Sequence, residues 1–156
     1  MFCAFLVAGT DILTHIGHDS VIGSGCIIGN STKIAGEVTI SDNAILSACV
    51  LVHQFSHIGS YVMIQGGSRI NKDIPPYIIV AREPAKYSGL NLVGLRRRGF
   101  SNEAIKSIHE AYRHIYGSGT IVSTAVERIR ESGNLTPEVE YILHFIEKES
   151  ERGIIG

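Results

Sequence analysis

Residues 15–74 read HIGHDSVIGSGCIIGNSTKIAGEVTISDNAILSACVLVHQFSHIGSYVMIQGGSRINKDI. Stepping by six from Ile16 gives Ile22, Ile28, Ile34, Ile40, Leu46, Val52, Ile58, Ile64 and Ile70, aliphatic at every stop. Four residues beyond each of these stand Ser20, Cys26, Thr32, Val38, Ala44, Val50, Ser56, Val62, Ser68 and Ile74, all small or β-branched. Two positions in every six are therefore expected to point inward. The residue after each aliphatic is Gly17, Gly23, Gly29, Ala35, Ser41, Ser47, His53, Gly59, Gln65 or Asn71. Most of these types tolerate a tight corner, so a turn is expected in each unit. An amphipathic helix repeats about every 3.6 residues and a half-buried strand every two; neither produces a six-residue lattice. Period six means a parallel β-helix.

The lattice ends at Ile74-Pro75-Pro76-Tyr77, because consecutive prolines remove backbone donors and cannot extend a ladder. This predicts a β-helix over residues 1–77, clearest from 16 to 75, followed at 78–156 by a loop-rich connector and a small α-helical domain. Ser101 is placed to N-cap a helix that stops near Gly117. A second helix is expected over Ile121–Glu131. Thr136-Pro137-Glu138 reads as N-cap, N1 proline and first-turn acid of a third, running to about Glu151.

The chain has 156 residues, with 14 basic and 15 acidic side chains and a formal charge of -1. That balance gives no electrostatic case for nucleic acid or an anionic membrane surface. Cys3, Cys26 and Cys49 are an odd set without metal-type spacing, which points to a reducing cytoplasm rather than a disulfide framework. The opening MFCAFLVAG lacks a basic leader and is shorter than the roughly 20 residues of a membrane span, so it is expected to be the end of a strand.

If three hexapeptides make one coil, residues 18 apart stack about 4.8 Å from one another. His18, Gly36 and Gln54 then form one column, and Gly17, Ala35 and His53 the next, so polar groups gather at one corner. His18 is a candidate general base because imidazole exchanges protons near neutral pH. Asp19 can orient it, or can be a turn aspartate. His15 and His18 lie three apart, but no acid or thiolate ligand is placed beside them, so no metal site is expected. Arg96-Arg97-Arg98 is the one basic run, suited to a diphosphate or an acidic carrier protein.

The run HIGHD, the VHQF corner, the DIPPY end of the lattice and GLNLVGLRRRGFSNEAI together resemble the UDP-N-acetylglucosamine O-acyltransferase family of lipid A biosynthesis. The match keeps their order and needs no gap from His15 to Phe100. The resemblance implies a left-handed coil and a cytoplasmic homotrimer that takes a 3-hydroxyacyl chain from acyl carrier protein to the 3-hydroxyl of UDP-N-acetylglucosamine. No metal or cofactor of its own is implied, since phosphopantetheine arrives on the carrier. His18 takes the place of the general base, Asp19 of its acidic neighbour, and Gly36 of the amide that stabilises the oxyanion. His15, His53 and Gln54 match site-lining positions. Asn91, Arg97 and Arg98 match positions around the nucleotide and phosphopantetheine. Gly66 matches a position that limits acyl-chain depth. Sites shared between subunits are implied, with His18 of one facing His53 and the arginines of another.

Two departures qualify this. Glu37 stands where well-known members carry histidine. The family also has further N-terminal coils, so the chain reads as an N-terminally truncated member whose first coil is the weak point of folding. The alternatives are an N-acyltransferase acting on a 3-amino sugar, and a silent β-helix that only assembles or binds acyl carrier protein.

Overall fold

The computed structural model describes residues 13–117, 119, 121–133, 135–150 and 152–156. The expected strand end at residues 1–9, Cys3 and most of the first coil's lead-in lie outside these.

Ten two-residue strands recur every six residues: β1 (His15–Ile16), β2 (Val21–Ile22), β3 (Ile27–Ile28), β4 (Lys33–Ile34), β5 (Thr39–Ile40), β6 (Ile45–Leu46), β7 (Leu51–Val52), β8 (His57–Ile58), β9 (Met63–Ile64) and β10 (Arg69–Ile70). They stack into three parallel faces: β1-β4-β7-β10, β2-β5-β8, and a third built on β3-β6-β9. Ile16 pairs with Ile34, Ile22 with Ile40 and Ile28 with Leu46, always one 18-residue coil apart. The chain is a left-handed parallel β-helix with a short helical C-terminal part.

The second residue of each strand fills the interior: Ile28, Ile34, Leu46, Ile58 and Ile64 are fully buried. Each such side chain contributes about 1.5–3 kcal/mol of burial. Cys26, Thr32, Val38, Ala44, Val50 and Val62 close the corners, also fully buried. Burial pushes the Cys26 thiol above its ordinary pKa. Two polar corner side chains are satisfied by the next coil, whereas Ser56 Oγ and Ser68 Oγ are buried without a hydrogen-bond partner among the described residues. Ser20 Oγ donates to Ala35 O at 3.0 Å and Thr32 Oγ1 to Ser47 O at 3.0 Å.

The turn chemistry differs from expectation. Left-handed backbone falls on Leu13, Asp19, Gly25, Ser31, Glu37, Asn43, Cys49, Phe55, Tyr61 and Gly67, two residues beyond the small-residue position. That earlier position is small for another reason. A Cβ on Gly17 would collide with the Ala35 carbonyl carbon and the Gly36 nitrogen of the next coil.

The prolines end only one face. Ile74 still bridges Ile58, and Pro76 then lies over Gly59. The third face continues past residue 77 through β11 (Ile78–Ala81), parallel to β9, and an antiparallel β12 (Lys86–Leu90). The stretch expected to be a loop-rich connector therefore holds two strands. It also holds a short helix, α1 (Leu92–Arg97), that was not expected.

The later helices match the sequence closely: α2 (Asn102–Tyr116), α3 (Val122–Glu131) and α4 (Pro137–His144), the last passing into a π-helical turn at Phe145–Glu149. Ser101 Oγ accepts the Ala104 N–H, and Thr136 Oγ1 that of Val139. Tyr112 fastens this cap to the rod, its hydroxyl donating to Pro76 O at 2.6 Å.

The chain's end returns to the rod at Asp73, whose side chain is fully buried. Its Oδ1 accepts from His57 N–H at 2.8 Å, and its Oδ2 from Ser150 Oγ and Arg152 N–H, both at 3.0 Å. The backbone completes the latch: Asp73 N–H donates to Gly153 O, and Ile155 N–H to Asp73 O.

Candidate active site

The corner between the first and second faces carries the densest set of expected site residues. Residues 17–19, 35–37 and 53–55 stack there in three successive coils, because β1, β4 and β7 are in register. His18 and Asp19 lie on the lowest of these, Gly36 and Glu37 on the next, His53 and Gln54 above.

His18 Nδ1 lies 3.1 Å from Asp19 Oδ2, both side chains exposed. Since an ionised carboxylate only accepts, Nδ1 carries a proton, and in the neutral ring Nε2 then holds the lone pair. The imidazole rests against Gly36: a Cβ there would come within 2.5 Å of His18 Nε2. Any larger residue would occupy the ring's place. The coil is tied locally by Glu37 N–H donating to His18 O at 2.8 Å. The Gly36 N–H donates to no acceptor among the described residues, while the corresponding Ser24 N–H at the next corner is taken by Asp42 Oδ1.

The upper level is a chain of hydrogen bonds. Gln54 Nε2 donates to Glu37 Oε1 at 3.2 Å. His53 Nδ1 donates to Gln54 O at 3.0 Å, so that in the neutral ring Nε2 is the acceptor nitrogen. Glu37, which replaces the expected histidine, thus holds Gln54 in place. Arg152, which no local motif singled out, donates from its guanidinium to Gln54 O at 3.2 Å. Only the fold could reveal it.

The remaining expected residues are elsewhere on the single chain. His15 is exposed on the first face, beside Lys33. Gly66 is at the corner between the third and first faces, where a Cβ would lie 3.0 Å from Ala48 O. Asn91 and the arginines belong to the third corner. Asn91 is buried; its Oδ1 caps α1 through Gly94 N–H and its Nδ2 donates to Tyr61 O at 2.9 Å. Both ends of that amide are used inside the protein. Arg98 extends toward Gly25, and Arg97 is exposed on α1. One chain therefore distributes these residues over all three corners. His53 is different: it shares the corner of His18, two coils further along the rod of the same chain.

Among the described residues, no cluster of His, Cys, Asp and Glu is arranged to hold a metal, and no helix is long and apolar enough to cross a membrane. A cavity of about 520 Å³ between α3 and the C-terminal tail is lined by Val122, Val126, Glu127, Ile146 and Ile154 among others. It contains none of the expected site residues, and we give the corner more weight because the polar groups converge there.

Comparison with known proteins agrees with this architecture. Residues 73–155 match the family described as Udp N-acetylglucosamine O-acyltransferase, domain 2. The acyl-[acyl-carrier-protein]–UDP-N-acetylglucosamine O-acyltransferase of Pseudomonas fluorescens (strain SBW25) is 45% identical over 140 residues, covering 90% of this chain and 54% of that protein. A UDP-N-acetylglucosamine acyltransferase structure from Bacteroides fragilis superposes with a TM-score of 0.89 at 60% identity, over 92% of this chain and 56% of that one. The Francisella novicida enzyme superposes with a TM-score of 0.86 at 40% identity, over 91% and 52%. The chain spans about half the length of the curated relatives it matches. It belongs to the UDP-N-acetylglucosamine O-acyltransferase family.

Proposed function

We propose that this chain carries the catalytic corner of an acyltransferase that moves a 3-hydroxyacyl group from acyl carrier protein to the 3-hydroxyl of UDP-N-acetylglucosamine, the first step of lipid A biosynthesis. The observation that carries this reading is the His18 imidazole, tied through Nδ1 to Asp19 and resting against Gly36.

His18 Nε2 removes the sugar hydroxyl's proton as that oxygen attacks the thioester carbonyl. The tetrahedral oxyanion takes the Gly36 N–H, which donates to no acceptor among the described residues. Asp19 stabilises the imidazolium, which returns the proton to the departing phosphopantetheine sulfur as the C–S bond breaks. This uses no metal or cofactor of the protein's own. Domain roles follow: the rod performs the chemistry and the C-terminal part supplies Arg97 and Arg98 to the phosphates and the carrier's arm, beside Asn91. His15, His53 and Gln54 line the acceptor, and Gly66 leaves acyl depth open.

We further read the working unit as a homotrimer in the cytoplasm. The outward residues of the third face, Ile27, Ile45, Met63 and Ile79, are all apolar, whereas the first face shows His15, Lys33, Leu51 and Arg69 and the second Val21, Thr39 and His57. Ile27 and Met63 are 41% and 37% exposed in the single chain, a surface suited to contact between copies. Parallel rods would bring different corners of neighbouring chains together. The free cysteines Cys26 and Cys49 fit a reducing compartment.

The test is acyl transfer from 3-hydroxyacyl carrier protein to UDP-N-acetylglucosamine and to its 3-amino analogue, using the chain alone and joined behind the N-terminal coils of a longer relative. Ester formation supports O-acylation. Amide formation with the amino sugar alone would assign an N-acyltransferase. Carrier binding without either product in both forms would make the corner catalytically silent.

A further inference from the structure

We propose that Arg152, on the C-terminal tail, is a positioning residue for the candidate active site: it locks the His53-Gln54 corner and thereby the protonation pattern of the His53 imidazole. The proposal rests on the acyl-transfer reading for its functional consequence, and on geometry for the contact itself.

Three observations converge. First, Arg152 is held at its backbone, since its N–H donates to the fully buried Asp73 carboxylate at 3.0 Å, as does Ser150 Oγ. The neighbouring Gly153 O accepts from Asp73 N–H at 3.1 Å. The side chain therefore starts from a fixed point on top of the rod. Second, its guanidinium bridges two consecutive columns of the corner, with Nη1 donating to Gln54 O and Nε to Asn71 O, each at 3.2 Å. The planar fork suits such a pair of carbonyls better than a flexible ammonium does. Third, the Gln54 carbonyl also accepts the His53 Nδ1 proton at 3.0 Å. One oxygen thus joins the tail to the imidazole. The Gln54 side chain continues the connection downward to Glu37, one coil above Asp19.

The consequence is specific. With Arg152 in place, the Gln54 carbonyl is aimed so that His53 keeps its proton on Nδ1 and presents Nε2 outward. Free histidine prefers the other tautomer, so loosening the carbonyl should release His53 from this choice. An unlatched corner would then engage substrate less well. Misplacement of a binding group through about 1 Å reaches effects of 10²-fold.

The test compares the unaltered chain with Arg152→Ala, Arg152→Lys and His18→Ala. The first readout is independent of activity: the ¹⁵N resonances of the His53 ring, which distinguish an Nδ1 proton from an Nε2 proton. We expect the Nδ1–H form in the unaltered chain and in His18→Ala, its loss in Arg152→Ala, and partial retention in Arg152→Lys. In active enzyme, Arg152→Ala should raise KM by about 10- to 100-fold with a smaller change in kcat, the reverse of His18→Ala. Loss of the Nδ1–H form in Arg152→Ala, beside an unaltered chain that is folded and keeps this form but transfers no acyl group, would uphold the latch and sink the acyl-transfer reading. A folded Arg152→Ala whose His53 keeps the Nδ1 proton overturns the latch. If Arg152→Ala does not fold, Arg152→Lys decides: a ring indistinguishable from the unaltered one, with KM unchanged, overturns it equally.

Discussion

Gly36 lies one coil above His18 with no room for a side chain between them: a Cβ would come within 2.5 Å of Nε2 and 2.7 Å of Cε1. The absent Cβ is what lets the imidazole lie along the corner with Nδ1 on Asp19. Gly36→Ala should therefore eject the ring, lowering acyl transfer by about 10²–10⁴, the range expected when a general base is lost. The Gly36 backbone is not left-handed, so the fold should tolerate the methyl, and thermal unfolding should shift little. Retained turnover in Gly36→Ala would show that His18 does not work from this position.

Asp73 makes a stability prediction at the opposite end of the corner. Its carboxylate accepts from His57 N–H, Ser150 Oγ and Arg152 N–H in a fully buried setting. Asp73→Ala strands three donors and should cost about 3 kcal/mol or more, since hydrogen bonds to charged groups are worth about 1.5–3 kcal/mol each. Asp73→Asn keeps one acceptor oxygen and should cost less. Urea denaturation checks both; a loss below about 1 kcal/mol for the alanine variant would mean the tail is not fastened there.

Four tyrosines predict how the helical part responds to alkali. Burial raises the phenol pKa of Tyr77, Tyr87, Tyr112 and Tyr116 above the ordinary 10.0, with neighbouring tyrosines adding to it at Tyr77, Tyr112 and Tyr116. The folded state thus holds protons that the unfolded chain gives up. Their stability contribution is full below the unfolded value and is lost as pH rises toward the folded ones. Tyrosinate absorbance and helical circular dichroism should therefore change together in one step above pH 10. Four tyrosines that titrate at their ordinary value while the helices remain intact would contradict this.

Most of the rod was legible because its lattice is repeated ten times, from Ile16 to Ile70, with each copy confirming the others. The caps at Ser101 and Thr136 were legible because each is a local event within four residues. The left-handed positions were not, because Leu13, Glu37, Cys49, Phe55 and Tyr61 adopt that backbone although their types disfavour it; the stacked ladder imposes it. Helix α1 was hidden by Gly94 and by its length of 6 residues, yet Asn91 three residues before that glycine was a capping signal. At the site, the His18 column followed once three hexapeptides were taken as one coil, which the family resemblance supplied and the six-residue period did not. Arg152 did not, since its bond to Gln54 spans 98 positions and depends on where the tail lands.

The rate of acyl transfer in a single turnover by His18→Ala, at saturating acyl carrier protein thioester and UDP-N-acetylglucosamine, tests the role given to this imidazole. The variant should lose about 10²–10⁴ in rate while keeping its thermal midpoint, because His18 is exposed at an outer corner and leaves no core cavity. A His18→Ala enzyme that transfers the acyl group at nearly the unaltered rate would contradict it, and would move the search for the base to His15.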